Sequence, residues 1–356
     1  MRKEIISKYF NKDLAYIILK YDYFIEGKID KVLKGHTDYV ECIGILPNGQ
    51  IVSGSRDQTC IIWKHSGEID KVLKGHTHWV ICINILPSKD GSQIVSGSSD
   101  GTCILWKPDG EIDKILKGHT DHVECISILP SKDGGQIVSR SIDTTCIVWK
   151  LNGEIDKVLK GHTDFITCIN ILPSKDGGQI VSGSDDNTCI IWKSGGEIDK
   201  VLRGHTGSIS CINILPFKDG GQIVSGSEDE TCIIWKPNSG EIDKVLRGHT
   251  DFVRCMNVLP NNQIVTGSGD NTCIIWKENG EIDKILRGHN KVVTHISILP
   301  NGQIVSISIN TNCIIWDEDG EIDKFSKDNF IRYMTVLSNG QIVGRTDDNN
   351  TLIILK

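Results

Sequence analysis

Several patterns are missing from this chain, and each absence narrows what it does. No stretch reaches the roughly 18 to 20 consecutive apolar residues of a membrane-spanning helix. The opening residues, MRKEIISKYFNKDLAY, lack a continuous apolar core and a small-residue cleavage site, so no secretory leader is expected. Positive charge is not in surplus. Lys and Arg number 39 against 46 Asp and Glu, a net charge of −7, so neither a nucleic-acid nor a membrane partner is expected. No Cys-x-x-Cys pair occurs, and with it goes the usual spacing of a zinc site or a redox dithiol; no metal and no cofactor is expected. The 13 cysteines are an odd number, which excludes a fully paired disulfide framework. They lie in apolar runs such as TCIIWK, where Cys serves as a small core residue, so a reduced, cytoplasmic protein is expected, with the nucleus also open. Methionine, tyrosine and phenylalanine are scarce, at 3, 6 and 7, yet Trp reaches 8. Tryptophan therefore has a particular use.

That use comes from a repeat. The unit GEIDKVLKGHT…V.CI.ILP…QIVSGS.D.TCIIWK recurs over nearly the whole chain. Gly-His falls at His36, His76, His119, His162, His205, His249 and His289, and a Trp follows each His by 27 or 30 residues. An eighth, degenerate copy runs from Glu321 to Lys356, with Asn329 where His is expected and Leu355 where Trp is expected. The units are 28–67, 68–110, 111–153, 154–196, 197–240, 241–280, 281–320 and 321–356, preceded by an extension over residues 1–27.

Each unit reads as four strands. IDKVLKG alternates charged and apolar residues, as an exposed edge strand does. V.CI.ILP, QIVSGS and TCIIWK are apolar on both faces, as buried strands are. LPNGQ or LPSKDGGQ turns the second strand into the third, and SRDQT and its equivalents turn the third into the fourth. A four-stranded sheet buried on both faces must lie between copies of itself, and closing the ring removes the open ends.

The combination of Gly-His, SGSxD and Trp at fixed spacing resembles the WD-repeat family of β-propellers, over residues 29 to 356. The Trp is followed by Lys in six units, and only Trp316-Asp317 keeps the family's dipeptide. The resemblance implies an all-β, eight-bladed propeller in which the outer strand of each unit belongs to the preceding blade. Ile29 to Lys34 would then complete the blade made by Tyr333 to Leu355. A seven-bladed ring with the eighth copy displaced is the alternative.

The resemblance also assigns a structural role to matched polar residues. His36, Ser53, Asp57 and Trp63 recur as His76, Ser96, Asp100 and Trp106, as His119, Ser139, Asp143 and Trp149, and as His162, Ser182, Asp186 and Trp192. They recur again as His205, Ser225, Asp229 and Trp235, as His249, Thr266, Asp270 and Trp276, and as His289, Ser306, Asn310 and Trp316. In the family such residues form a buried chain from Asp to His to Ser to the indole N–H. A catalytic Ser-His-Asp set would not occur six times in one chain. The one literal GxSxG match, Gly97 to Gly101, spans a strand-to-strand turn and not a hydrolase elbow. No Walker lysine loop, HExxH or Rossmann glycine pattern occurs. The chain reads as a non-enzyme.

Where the units differ is more informative. Three residues after the Gly-His histidine stand Tyr39, Trp79, His122, Phe165, Ser208, Phe252 and Val292, with Arg332 in the degenerate copy. Five residues after it stand Glu41, Ile81, Glu124, Thr167, Ser210, Arg254, Thr294 and Met334. Before the tight-turn Asp stand Arg56, Ser99, Ile142, Asp185, Glu228 and Gly269, then Ile309 and Asp347. A position free to be Trp, Ser or Arg is not a fully packed core position in a ring of equivalent blades. In the resembling family these positions line the upper face around the channel. Tyr39, Trp79, Phe165 and Phe252 are the expected apolar anchors. Glu41, Arg56, Ile81, His122, Glu124, Asp185, Glu228, Arg254 and Arg332 complete the candidate set.

In residues 1–27, Ile5, Ile6, Tyr9, Phe10, Leu14, Ile17, Ile18 and Tyr21 fall at roughly helical spacing. NKDLAYIILKYDYF loosely looks like the start of an F-box, which would make the chain a ubiquitin-ligase substrate receptor. The first expectation is plainer: a monomeric propeller that holds a protein or peptide on its upper face.

Overall fold

The computed structural model describes residues 29–87, 92–130, 135–173, 178–216, 221–309, 313–317, 320–324, 334–346 and 350–355. The extension and its F-box-like segment lie outside these residues, as do Asn310 and Arg332. Among the described residues there are 32 strands in eight antiparallel four-stranded sheets.

In the first blade the order from axis to rim is Val40–Ile45, Ile51–Ser55, Thr59–Trp63 and Ile69–Lys74. The rim strand thus belongs to the second sequence unit. The eighth blade is made of Met334–Val336, Ile342–Arg345 and Thr351–Leu355, and its rim strand is Ile29–Lys34 from the start of the propeller. Leu33 lies opposite Leu352 there, and Lys34 opposite Thr351. The ring closes with eight blades because the degenerate copy still supplies three apolar strands, although it has lost its His and Trp. Innermost strands of successive blades touch around the full circle, from the first blade through the eighth and back.

The core is a set of layers between blades. Buried apolar side chains form eight clusters, each drawn from two adjacent blades. One joins Leu86, Val95 and Leu105 of the second blade to Val123, Ile147 and Trp149 of the third. No blade buries both faces alone, so the sheets hold one another, as in other repeat proteins.

Two irregularities recur. In seven blades the pairing of the inner strand slips by one residue, between Val40 and Cys42 in the first. The residue skipped is the one five after the Gly-His histidine. It is a bulge residue, freed from the ladder and re-aimed. At the rim a similar slip skips Asp70 between Ile69 and Lys71, which blunts an edge otherwise open to strand pairing. The rim strand is largely exposed, as an edge strand should be: Ile69, Asp70, Val72 and Lys74 face water, and Leu73 is the one residue buried against the sheet.

Candidate binding face around the central channel

Seven of the eight blades are tied to the connection entering them by a polar chain. Trp63 Nε1 donates to Ser53 Oγ at 2.8 Å, Ser53 Oγ lies 2.8 Å from His36 Nε2, and His36 Nδ1 lies 2.8 Å from Asp57 Oδ2. Asp57 also accepts from the Thr37 and Thr59 backbone N–H groups and from the Thr59 hydroxyl. Only the neutral imidazole with its proton on Nδ1 uses every group in this chain once. The same distances, within about 0.1 Å, recur at His76, His119, His162, His205 and His249. In the seventh blade His289 reaches Ser306 at 2.6 Å and Trp316 donates to it at 2.7 Å. Burial pushes the Asp57 and Asp100 carboxyls up, but hydrogen bonds from the histidine and threonine outweigh it and hold both well below the usual range. Burial likewise holds His205 and His249 below the ordinary imidazole value, and Asp229 and Asp270 only partly offset it. These groups are spent on one another. They have no free face for a substrate.

The glycines flanking this chain are set by space. A Cβ on Gly35 would lie 2.8 Å from Ile69 Cδ1 and 3.0 Å from Trp63 Cη2. A Cβ on Gly97 would lie 2.6 Å from Cys82 Sγ and 2.8 Å from Val123 Cγ1 of the next blade. The third blade carries Arg140 at that second position, and there the inner strands of the third and fourth blades pack less closely than those of the second and third. Arg140 Nη1 fills the seam by donating to Ile166 O at 2.6 Å.

That carbonyl reveals a use for the first cysteine of three units. The bulge frees the carbonyl just before it, and the preceding blade supplies a donor. Cys42 Sγ reaches Val80 O at 3.9 Å, Cys82 Sγ reaches Val123 O at 3.9 Å, and Cys255 Sγ reaches Val293 O at 3.7 Å. Thr167 Oγ1 serves Ile209 O, and Arg345 Nη1 serves Val40 O. Cys42 and Cys60 stand on either side of Gly54 across the ladder, and all 13 thiols are free. Burial pushes Cys60, Cys103, Cys146 and Cys273 up to about 12, which disfavours the thiolate that a nucleophile or metal ligand needs. Among the described residues no group of His, Cys, Asp and Glu is arranged to hold a metal ion.

The variable positions converge at this same end of the inner strands, around the bulge. The residue before the tight-turn Asp donates its N–H to the carbonyl three residues after the Gly-His histidine. Arg56 is so joined to Tyr39 at 2.8 Å, Ser99 to Trp79 at 2.9 Å, Asp185 to Phe165 at 2.9 Å and Glu228 to Ser208 at 2.9 Å. Two of the three variable series are therefore backbone neighbours, and the bulge residue lies one step away on the inner strand.

These residues form two groups. Over the first two blades the Arg56 guanidinium stacks on Tyr39 at 4.7 Å and on Trp79 at 4.4 Å, bridging the blades. Its Nε donates to Glu41, which also meets Arg345 Nη1 at 3.4 Å. His78 stands 5.1 Å from Trp79 and 6.3 Å from His122, extending the patch to the third blade. Over the third to seventh blades, Glu124, Phe165, Asp185, Glu228 and Arg254 line one cavity of about 670 Å³, with Arg140, Ile142, Ser208 and Ser210. Because inner strands of five blades contribute to it, the cavity lies on the ring axis. Phe252 packs over Gly269 and belongs to neither group, and Ile81 is half-buried on its bulge.

Sequence reasoning missed Arg140 and His78. The signal for Arg140 was Ser139-Arg140-Ser141, where five other units read Ser-Gly-Ser or Thr-Gly-Ser.

Comparison with known proteins accords with this geometry. A family model described as WD domain, G-beta repeat matches residues 27–64, 67–107, 110–150, 153–193, 196–236, 240–277 and 280–317. The chain belongs to the WD40 repeat family. Three strands of the eighth blade lie beyond the last match, and its rim strand lies within the first. Among solved structures, the crystal structure of the WD40 beta propeller domain of Doa1 is similar, with a TM-score of 0.60 and 20% identity over 92% of this chain and 96% of that chain. No curated protein matches. WD40 propellers generally act as non-catalytic scaffolds for protein interactions.

Proposed function

We propose that this propeller is a non-enzymatic scaffold that holds a protein or peptide segment against its upper face, as a monomer in the cytoplasm. The carrying observation is the convergence at one mouth. Most side chains that differ between otherwise near-identical units gather in the stack over the first two blades or around the axial cavity, whereas those that match are consumed in ties within and between blades. Trp79 at 38% exposure and Phe165 at 48% are large apolar side chains left in contact with water, which suits them as anchors. Two units of face are available: the cationic aromatic stack over the first two blades and the cavity beyond it.

The test is quantitative capture of cellular proteins by the full chain and by Trp79→Ala/Phe165→Ala, with thermal midpoints measured in parallel. Partners retained by the wild type should be lost from the variant at an unchanged midpoint. Equal capture by both proteins would refute the upper-face reading.

A further inference from the structure

One arginine on the upper face is fixed by its neighbours and still has donors to spare. The Arg56 guanidinium carbon lies over the Tyr39 ring at 4.7 Å and over the Trp79 ring at 4.4 Å, so two blades hold it. Its Nε donates to Glu41. The other oxygen of that carboxylate meets Arg345 Nη1 at 3.4 Å, so one negative charge serves two guanidiniums. Arg56 Nη1 and Nη2 make no hydrogen bond among the described residues, and 34% of the side chain is exposed.

A surface arginine usually loses side-chain freedom when it binds a partner. Arg56 has already given up that freedom to the two rings and to Glu41. Its open pair of Nη groups is a planar fork that matches a carboxylate, and Tyr39 and Trp79 stand beside it as exposed apolar surface. The neighbouring carboxylates are engaged elsewhere. Asp57 is bonded to His36 and Thr59, and Asp38 accepts from the Tyr39 backbone N–H at 2.7 Å. Their charges nevertheless limit the ligand. A single negative charge answers the surplus guanidinium, whereas a phosphate, close to a dianion, would be repelled by Glu41 and Asp38.

We propose that Arg56 receives an acidic side chain, Glu or Asp, of the protein partner. The two Nη groups donate to the carboxylate oxygens, and an apolar residue beside the acid packs on Trp79 and Tyr39. Arg56 then sets partner choice by charge, and the rings supply the contact area. This proposal rests on the upper-face reading and names the chemistry of its ligand.

The experiment selects random short peptides displayed on phage against the full chain, then measures synthetic copies by fluorescence anisotropy. Recovered peptides should carry Glu or Asp beside an apolar residue. Replacing that acid by its amide should weaken binding by about tenfold or more, and Arg56→Gln should do the same at an unchanged thermal midpoint. Together the two changes should cost little more than either alone, as they do when the two groups meet. Arg56→Lys, which keeps the charge without the fork, should not restore the affinity. Additive losses, full affinity in Arg56→Lys, or tighter binding of phosphoserine than of the acid would overturn the proposal. So would recovery of acid-free peptides, or of none. Acid-free peptides lost by Trp79→Ala/Phe165→Ala would leave the upper-face reading standing, whereas peptides bound equally well by that variant would refute it.

Discussion

In six blades tryptophan, serine or threonine, histidine and aspartate each do one job, and their protonation follows from it. His205 and His249 sit below the ordinary imidazole value through burial, and His295 is pushed down to about 4 by burial first and by Arg254 second. In the unfolded chain these imidazoles take up protons as pH falls past about 6.5, while in the fold they resist. Their contribution is complete above about pH 6.5 and declines as pH falls. Asp57 and Asp100 are depressed in the fold, so they remain ionised where unfolded carboxylates protonate, and their contribution is lost below about pH 4. The urea midpoint should therefore fall in two stages, from pH 6.5 to 4 and again below 4. His295→Cys, which restores the residue of the other units, should flatten the first stage. The matched residues were legible in the sequence because a seven-fold pattern marks them. The stacking of Arg56 between Tyr39 and Trp79 was not, because it joins different blades and no spacing within one unit records it.

At the scale of the strand, the inner-strand bulge decides what each unit can display. In seven blades it skips one residue, frees a carbonyl for the preceding blade to satisfy, and lets one position vary without disturbing the ladder. Nothing in V.CI.ILP marks a two-for-one pairing, so sequence located the variable residue but not the cause of its variability. Arg140 was opaque for a related reason: a single change from Gly alters the distance between strands that are remote in sequence. The seams yield two predictions. Gly97→Ala should cost about 1–3 kcal/mol, because its methyl would meet Cys82 and Val123. Thr167→Val should cost about 1 kcal/mol, because it removes the hydroxyl that serves Ile209 O. Both are read from urea midpoints at constant slope.

For the whole molecule, the eight inter-blade layers make stability a property of the closed ring. Closure falls to Ile29–Lys34, the one rim strand that begins the propeller and ends its last sheet. Leu33 is buried in the layer between the eighth and first blades, so Leu33→Asp should lower the stability of the entire chain by about 3 kcal/mol, visible in equilibrium urea unfolding. The central claim is a division of labour: residues that match across blades hold the ring, and residues that differ hold the partner. Trp106 and Trp79 lie in the same unit and fall on opposite sides of that division, at 1% and 38% exposure. The most direct test is the urea-unfolding free energy of Trp106→Ala beside that of Trp79→Ala. The account predicts a loss of about 3–5 kcal/mol for the first and less than about 1 kcal/mol for the second. A comparable loss in both would place Trp79 in the framework and contradict the division.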